Sequence, residues 1–365
     1  MSTRHYLRPI ALAESPQSEE GEALRIAGGM VYASRFALIS REGGKITARR
    51  RLSAAELAAA DLPAEARVQL DDLRRAQPPL QCGQRTIRLD QPQAVGILNL
   101  TPDSFSDGGQ FMDDPEVAQA HAAAMLEAGA ALIDVGGEST RPGAAAVWEG
   151  DELSRVIPAI ERLAAAGAAI SVDTRRPAVM EAALAAGAHV INDVSALRHD
   201  PRSLELAARA GVPVVLMHAP GGGNDLHADG QYSDVVLDVF DWLRDRRDAA
   251  LAAGIAREKI VLDPGIGFGK TLADNLALLN ALPLFHALGQ PLLVGASRKR
   301  MIGALANEAP AHQRLGGSLA LALKAMDAGV QLLRVHDVAE TVQALRIWRG
   351  LRDAALTDFS QLPAA

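Results

Sequence analysis

From about residue 94 onward, apolar and polar positions alternate in one repeating unit. A helical stretch closes on Ala-Gly or a near variant, and a short unbroken apolar run follows and ends in polar residues. The closing glycines are Gly129, Gly167, Gly187, Gly211, Gly254, Gly289 and Gly329. The residue after a helix often turns left-handed, a backbone that glycine adopts without strain. The apolar runs read as strands over Ala131 to Gly136, Ile170 to Thr174, Val190 to Val194, Val214 to His218, Ile260 to Asp263, Leu292 to Gly295 and Leu332 to His336. Val95 to Leu98 in front makes eight. Runs of Val, Ile and Leu without period-two alternation are buried on both faces, as parallel strands covered by helices are. Eight of them predict a closed (β/α)8 TIM barrel rather than an open doubly wound sheet.

Residues 1–78 have a different texture. Glu14 to Glu22 is polar, with Pro and Ser, and reads as a loop. Met30 to Ile39 and Lys45 to Arg50, joined through Arg41-Glu-Gly-Gly44, read as a β-hairpin. Ser53-Ala-Ala-Glu56 is a capping box opening a helix. Glu65 to Gln77 is a second helical stretch with Val68, Leu70 and Leu73 as its apolar positions. No residue set there suggests chemistry. Gln81 to Leu89 predicts a short strand pair at the bottom of the barrel. The expected organisation is a small α+β N-terminal extension (1–78), the barrel (79–355) and a tail (356–365).

The residues at or just past each strand's C-terminal end carry the functional signal. They are Asn99, Glu138 with Thr140 and Arg141, Asp173, Asn192, His218, Asp263, Ser297 with Lys299, and Arg334 with His336. A capping or turn role accounts for any single Asp, Asn or Ser as well as a ligand role does. Capping alone does not explain a polar group at every end, with two histidines and a lysine among them. In a barrel these ends converge on one rim, where active sites of the fold lie.

Composition narrows the chemistry. The chain has 365 residues, with 37 Lys and Arg against 44 Asp and Glu, a net charge of -7 and one cysteine. No basic stripe suits nucleic acid. No apolar stretch approaches the roughly 20 residues of a membrane span, and the N-terminus lacks an apolar signal core. Cys82 excludes an internal disulfide framework, and a cytoplasmic location is expected. Small-molecule chemistry is the expectation.

Asp173, Asn192 and Asp263 suit a flat heterocycle that presents amino and ring N–H groups, or a magnesium ion. Ser297-Arg298-Lys299-Arg300 and Arg334-Val-His336 place positive charge after strands seven and eight, where barrels commonly hold phosphate. Lys299 is expected to turn inward, and one of its flanking arginines to form a surface ion pair. Gly269-Lys270-Thr271 imitates the end of a phosphate-binding P-loop, but Pro264 stands where that motif needs glycine. The glycine-rich turn keeps Phe268 as an aromatic wall. Cys82 is expected to be inert, and Trp148, Trp242 and Trp348 to pack.

Five segments carry a resemblance: Asn99 to Gly109, Asp134 to Gly143, Asp263 to Lys270, Ser297 to Lys299 and Arg334 to Val338. In this order they resemble bacterial dihydropteroate synthases, over about residues 79 to 350. The resemblance implies a transferase of folate biosynthesis, the sulfonamide target, joining 4-aminobenzoate to (7,8-dihydropterin-6-yl)methyl diphosphate. It implies small-molecule substrates, a homodimer and Mg2+. Its pterin diphosphate site maps to Asn99, Thr140, Asp173, Asn192, Met217, Asp263, Lys299, Arg334 and His336, with Asn99 also on the metal. Catalysis falls to Asp263, Lys299, Arg334 and His336. The 4-aminobenzoate pocket maps to Phe105, Thr140, Arg141, Pro142, Phe268 and Ser297. After strand five the family pattern Met-His-Met gives way to Met217-His218-Ala219-Pro220 and a glycine-rich loop through His227, while the pterin floor at Met217 and His218 is expected to persist. Two rival readings share the fold: a methyltetrahydrofolate-dependent methyltransferase, which has no use for the anion-binding segments, and a non-catalytic pterin binder.

Overall fold

The computed structural model describes residues 3–18, 21–101, 115–140, 147–221 and 225–356. The chain opens with β1 (Arg4–Ala13), β2 (Gln17–Ser18), β3 (Gly21–Glu22), β4 (Leu24–Arg25), β5 (Tyr32–Glu42) and β6 (Lys45–Ser53), then α1 (Ala54–Ala59) and α2 (Ala64–Arg74). The hairpin is β5–β6, closed where Glu42 pairs Lys45 across Gly43-Gly44. The Ser53–Glu56 capping box forms as expected. Two features depart from expectation. The polar stretch at 14–22 contains the small β2–β3 pair. On α2, Val68 is exposed and Gln69 is buried. Gln69 explains the exchange, because its amide accepts from Leu7 N–H at 2.7 Å and donates to His5 O at 2.7 Å. It thereby satisfies backbone groups of β1 that would otherwise be buried unpaired.

The barrel follows. β7 (Leu80–Cys82) and β8 (Arg85–Ile87) form a hairpin before β9 (Gln93–Asn99), α3 (Pro115–Ala128), β10 (Leu132–Gly136), α4 (Glu149–Ala165), β11 (Ile170–Asp173), α5 (Pro177–Ala185), β12 (Val190–Asp193) and α6 (Arg202–Ala210). The second half is β13 (Val214–Met217), α7 (Val235–Ala252), β14 (Ile260–Asp263), α8 (Leu272–Phe285), β15 (Leu293–Val294), α9 (Arg300–Leu305), α10 (Leu315–Asp327), β16 (Leu332–Val335) and α11 (Val338–Ala355). Eight parallel strands run in the order β14-β13-β12-β11-β10-β9-β16-β15. A parallel bridge between Leu262 and Leu292 joins the two ends, so the TIM barrel closes. The seven glycines that close the helical stretches all have positive φ, from 62° at Gly211 to 111° at Gly129.

The β7–β8 hairpin stops the bottom. Leu80, Cys82, Ile87 and Leu89 pack with Val95, Leu132, Val190, Val261 and Leu332 in one buried apolar cluster. At the opposite, C-terminal end the described residues line a cavity. The extension lies outside the helices: Tyr6 meets Phe240 of α7 edge-on at 5.5 Å between ring centroids and donates to Asp241 at 2.8 Å. Among the described residues no helix is long and apolar enough to cross a membrane.

Candidate active site

Strand register brings the polar ends together. Asn99 pairs Gly136, Gly136 pairs Asp173 and Asp173 pairs Asn192, so these positions share one level and one face around the barrel. Above the strand ends is a cavity of about 1240 Å³. Every strand or the turn after it contributes to its wall: Asn99, Thr140, Asp173, Asn192, Met217, Asp263, Phe268, Ser297, Lys299, Arg334 and His336. Phe105, Arg141 and Pro142 lie outside the described residues.

Charges in this wall hold one another. The Arg334 guanidinium lies 2.6 Å from Asp134 Oδ2 and 2.8 Å from Asp173 Oδ2. Asn192 Nδ2 also donates to Asp134, at 3.1 Å. Burial pushes the Asp173 carboxyl up, against the pull of Arg334. Asp263 accepts the Gly265 N–H at 2.7 Å. Burial nevertheless pushes its carboxyl up to about 6, opposed by that hydrogen bond and by Lys299. Lys299 turns inward as expected, donates to Ile266 O and sits 4.3 Å from the centre of the Phe268 ring. Burial brings its ammonium down to about 8. His336 Nδ1 lies 3.0 Å from Ser297 Oγ. Arg298 is the flanking arginine that forms an ion pair, with Asp337.

Four strand-end or motif residues have structural roles. Glu138 is held by Arg175 and Arg176, both at 2.9 Å. His218 is buried behind Met217, edge-on to Trp242, and only Met217 reaches the cavity. Lys270 donates to Gly265 O at 2.8 Å and Phe268 O at 3.0 Å, with His218 Nδ1 at 2.9 Å. It bolts the turn after β14, and burial brings it down to about 7. Thr271 caps α8 in a capping box with Asp274. Trp148, expected to pack, is 73% exposed.

Two residues of this neighbourhood escape a reading by strand ends. Asp134 is a buried carboxylate in mid-strand, and its position inside the apolar run Leu-Ile-Asp-Val is the signal for it. His227 stacks on Phe268 at 5.0 Å and 14°, with Nε2 2.6 Å from Thr140 O. Its partners are remote in sequence, so no local motif announces it.

Known proteins match this architecture. A family profile described as "Pterin binding enzyme" covers residues 95–336. The dihydropteroate synthase of Escherichia coli K12 is 48% identical over 263 residues, 72% of this chain and 92% of that protein. The Yersinia pestis dihydropteroate synthase, solved with a sulfonamide drug complex, superposes with a TM-score of 0.72 at 48% identity, covering 75% of this chain and 99% of that one. The Xanthomonas albilineans dihydropteroate synthase, solved with 4-aminobenzoic acid, gives 0.70 at 49% identity, covering 79% and 100%. This chain belongs to the pterin-binding enzyme family and, within it, to the dihydropteroate synthases, transferases of folate synthesis.

Proposed function

We propose that the cavity residues divide the synthase reaction between a pterin floor, an anion wall and an aryl-amine wall. The substrates are (7,8-dihydropterin-6-yl)methyl diphosphate and 4-aminobenzoate, and the products are 7,8-dihydropteroate and diphosphate. Asp173, Asn192 and Asp263, with Met217 beneath the ring and Lys299 beside it, take the pterin. Asn99, Thr140, Arg334 and His336 take the diphosphate. Thr140, Phe268 and Ser297, together with Phe105, Arg141 and Pro142, shape the 4-aminobenzoate subsite. The observation that carries this reading is that Asp173, Asn192 and Asp263 share one cavity with Lys299, Arg334 and His336. It has carboxylates for a ring rich in N–H donors and cations for an anionic leaving group.

In the reaction the bond from the pterin methylene to diphosphate oxygen breaks, and its electron pair leaves with diphosphate. Arg334 and His336 stabilise the charge that develops there, while Asp263, beside the ring N–H groups, stabilises the positive charge left on the pterin. The substitution has SN1 character. The 4-aminobenzoate nitrogen then forms the new C–N bond and releases a proton to solvent.

Mg2+ is part of the same proposal. A side-chain carbon at Gly136 would lie 3.6 Å from Asn99 Oδ1 and 3.7 Å from Asp173 Oδ2, so glycine leaves an oxygen-lined space there. Two oxygen donors suit a hard cation, with Asp173 Oδ2 shared with Arg334. Asn99 would hold the ion through its amide oxygen. When bound, the ion supplies further neutralisation of the leaving diphosphate.

The division into an extension (1–78), a barrel (79–355) and a tail (356–365), the cytoplasmic location and the homodimer complete the proposal. For the homodimer, the supporting feature is an exposed apolar face on α10 and α11, with Leu323 36%, Ile347 65% and Leu351 68% exposed. Leu351→Asp is expected to shift the sedimentation coefficient to that of a monomer, and an unchanged dimer would count against this face.

The deciding assay supplies pterin diphosphate, radiolabelled 4-aminobenzoate and Mg2+ to the purified chain. Labelled dihydropteroate is the expected product. Pterin binding without product would overturn the enzyme reading.

A further inference from the structure

No described residue of the N-terminal extension lines the cavity, yet its hairpin ends against the segment that leads from β13 to α7. Arg41 of β5, with a side chain 8% exposed, places Nη2 2.5 Å from Ser233 Oγ and 2.5 Å from Asp238 Oδ1. The other oxygen of Asp238 accepts the backbone N–H of Ser233 at 2.8 Å and of Asp234 at 3.1 Å. Asp234 in turn caps α7 by accepting from Val236 and Leu237. The guanidinium therefore fixes the carboxylate that fixes the last two residues before the helix.

From Ser233 the chain leads back over the site. Tyr232 Oη donates to Gly269 O at 3.4 Å, and Gly230 N–H donates to the same oxygen at 3.3 Å. Gly269 has φ +54°, and a Cβ there would lie 2.4 Å from Ala228 O. Residues 228–232 therefore rest directly on the turn that carries Phe268. Just before them, His227 stacks on Phe268, reaches Thr140 O and lines the cavity.

We propose that the extension positions this loop through Arg41, and that His227 forms a wall of the 4-aminobenzoate subsite. The proposal rests on the synthase reading. Leu226 is buried with Val194, Met217, Ala219 and Phe268, and Tyr232 packs on the main core, so the polar residues between them are ordered by these contacts together with the hydrogen bonds at the loop's end. With Arg41 holding one end, the imidazole is held against Phe268, and the two stacked rings, 5.0 Å between centroids, form one continuous aromatic wall along which a planar aryl amine can lie. Arg41 touches no substrate and is a positioning residue.

The test compares the full-length wild type with Arg41→Ala, Arg41→Lys, Ser233→Ala and His227→Ala in steady-state kinetics. Arg41→Ala and His227→Ala are each expected to raise KM for 4-aminobenzoate about five- to tenfold, with KM for the pterin diphosphate changed less than about twofold. Arg41→Lys is expected to recover part of the loss. The Arg41→Ala/His227→Ala double variant is expected to be no worse than His227→Ala alone, because both act through one loop. Unchanged KM for 4-aminobenzoate, or effects that multiply, overturns the proposal. Should Arg41→Ala fail to fold, Ser233→Ala removes the hydroxyl that accepts from the guanidinium and donates to Asp238 at 3.4 Å, leaving the bridge through Asp238 to the backbone, and a rise of about two- to threefold is expected; no rise overturns the proposal. Amide hydrogen exchange over residues 225–234 gives a readout independent of turnover. Faster exchange in the Arg41 or Ser233 variant is expected, and unchanged exchange overturns the positioning role. A wild-type chain that makes no dihydropteroate overturns the synthase reading instead.

Discussion

Arg334 is the residue whose loss should be felt most in both stability and chemistry. It bridges Asp134, 1% exposed, and Asp173, 13% exposed, while its own side chain is 20% exposed. Arg334→Met keeps much of the volume and removes the charge. Taking each carboxylate as a unit charge ~4 Å from the guanidinium in an effective dielectric of ~20, each attraction is ~4 kcal/mol. Repulsion between the two carboxylates and desolvation of all three groups offset about half of the ~8 kcal/mol total, which leaves an expected loss of ~3–5 kcal/mol at neutral pH.

The loss should depend on pH, with a definite sign. Burial already raises the Asp173 carboxyl above its ordinary value, and Arg334 opposes that rise. Without Arg334 the folded-state value climbs further. A carboxyl raised in the folded state favours folding at low pH, and that contribution disappears as pH rises through the folded value. The gap between wild type and variant should therefore widen from pH 5 to pH 8 in urea titrations, read as a change in midpoint at constant slope. Adding Asp173→Asn to Arg334→Met should restore part of the stability by removing the unpaired charge. A loss below ~1 kcal/mol that stays flat with pH would refute this reasoning, because it is what an exposed ion pair gives.

The remaining predictions concern the site and the barrel floor. Because Asp263 is pushed up to about 6 and Lys299 down to about 8, kcat/KM for the pterin diphosphate should rise through the first value as the carboxylate forms and fall through the second as the ammonium loses its proton. Asp263→Asn should remove the acidic limb and lower turnover more than diphosphate binding, and equal loss of both would count against its role at the ring. Pterin and diphosphate added as separate molecules should each tighten the other's binding in calorimetric titrations; independent binding would contradict the paired-charge arrangement. Cys82 is buried, with its thiol pushed up to about 11, so labelling by a thiol reagent at neutral pH should proceed only at the rate of unfolding. A fast native-state phase would refute this.

Much of this was legible because a barrel writes its geometry into the chain. An apolar run ending in a polar residue marks both a buried strand and its functional end, as at Val-Ile-Asn192 and Ile-Val-Leu-Asp263. The β5–β6 hairpin was legible from the glycines between two runs of alternating character. β1 was not, because its residues meet different environments: Tyr6 and Leu7 are fully buried, while Ile10 and Leu12 are 39% and 38% exposed. Val68 and Gln69 exchanged places because the backbone of β1 needed an amide more than α2 needed a methyl group. Pro264 rules out a P-loop at Lys270, but its role as a bolt was not legible, since the carbonyls it holds are created by the fold of its own turn. His227 and Thr140 stand 87 residues apart and meet only through the tertiary structure.

In the proposed division of the cavity, the pairing of charges gives a reason for the pterin and the diphosphate to arrive joined. Arg334 is already held by Asp134 and Asp173, so a phosphate that draws on its guanidinium weakens two buried ion pairs. Left alone, that exchange exposes carboxylates to an apolar surrounding, which is costly. On the proposed site, a pterin N–H donor at Asp173 would satisfy the carboxylate as the anion claims the arginine, so the two halves of one molecule would compensate each other's disturbance. The same reasoning applies across the cavity, where Lys299 is shared between the Ile266 carbonyl, the field of Asp263 and the face of Phe268. A ligand carrying only an anion or only a flat donor-rich ring leaves one partner unmatched. On the proposed reading, discrimination for the joined molecule follows from charges that are buried and mutually paired within the cavity.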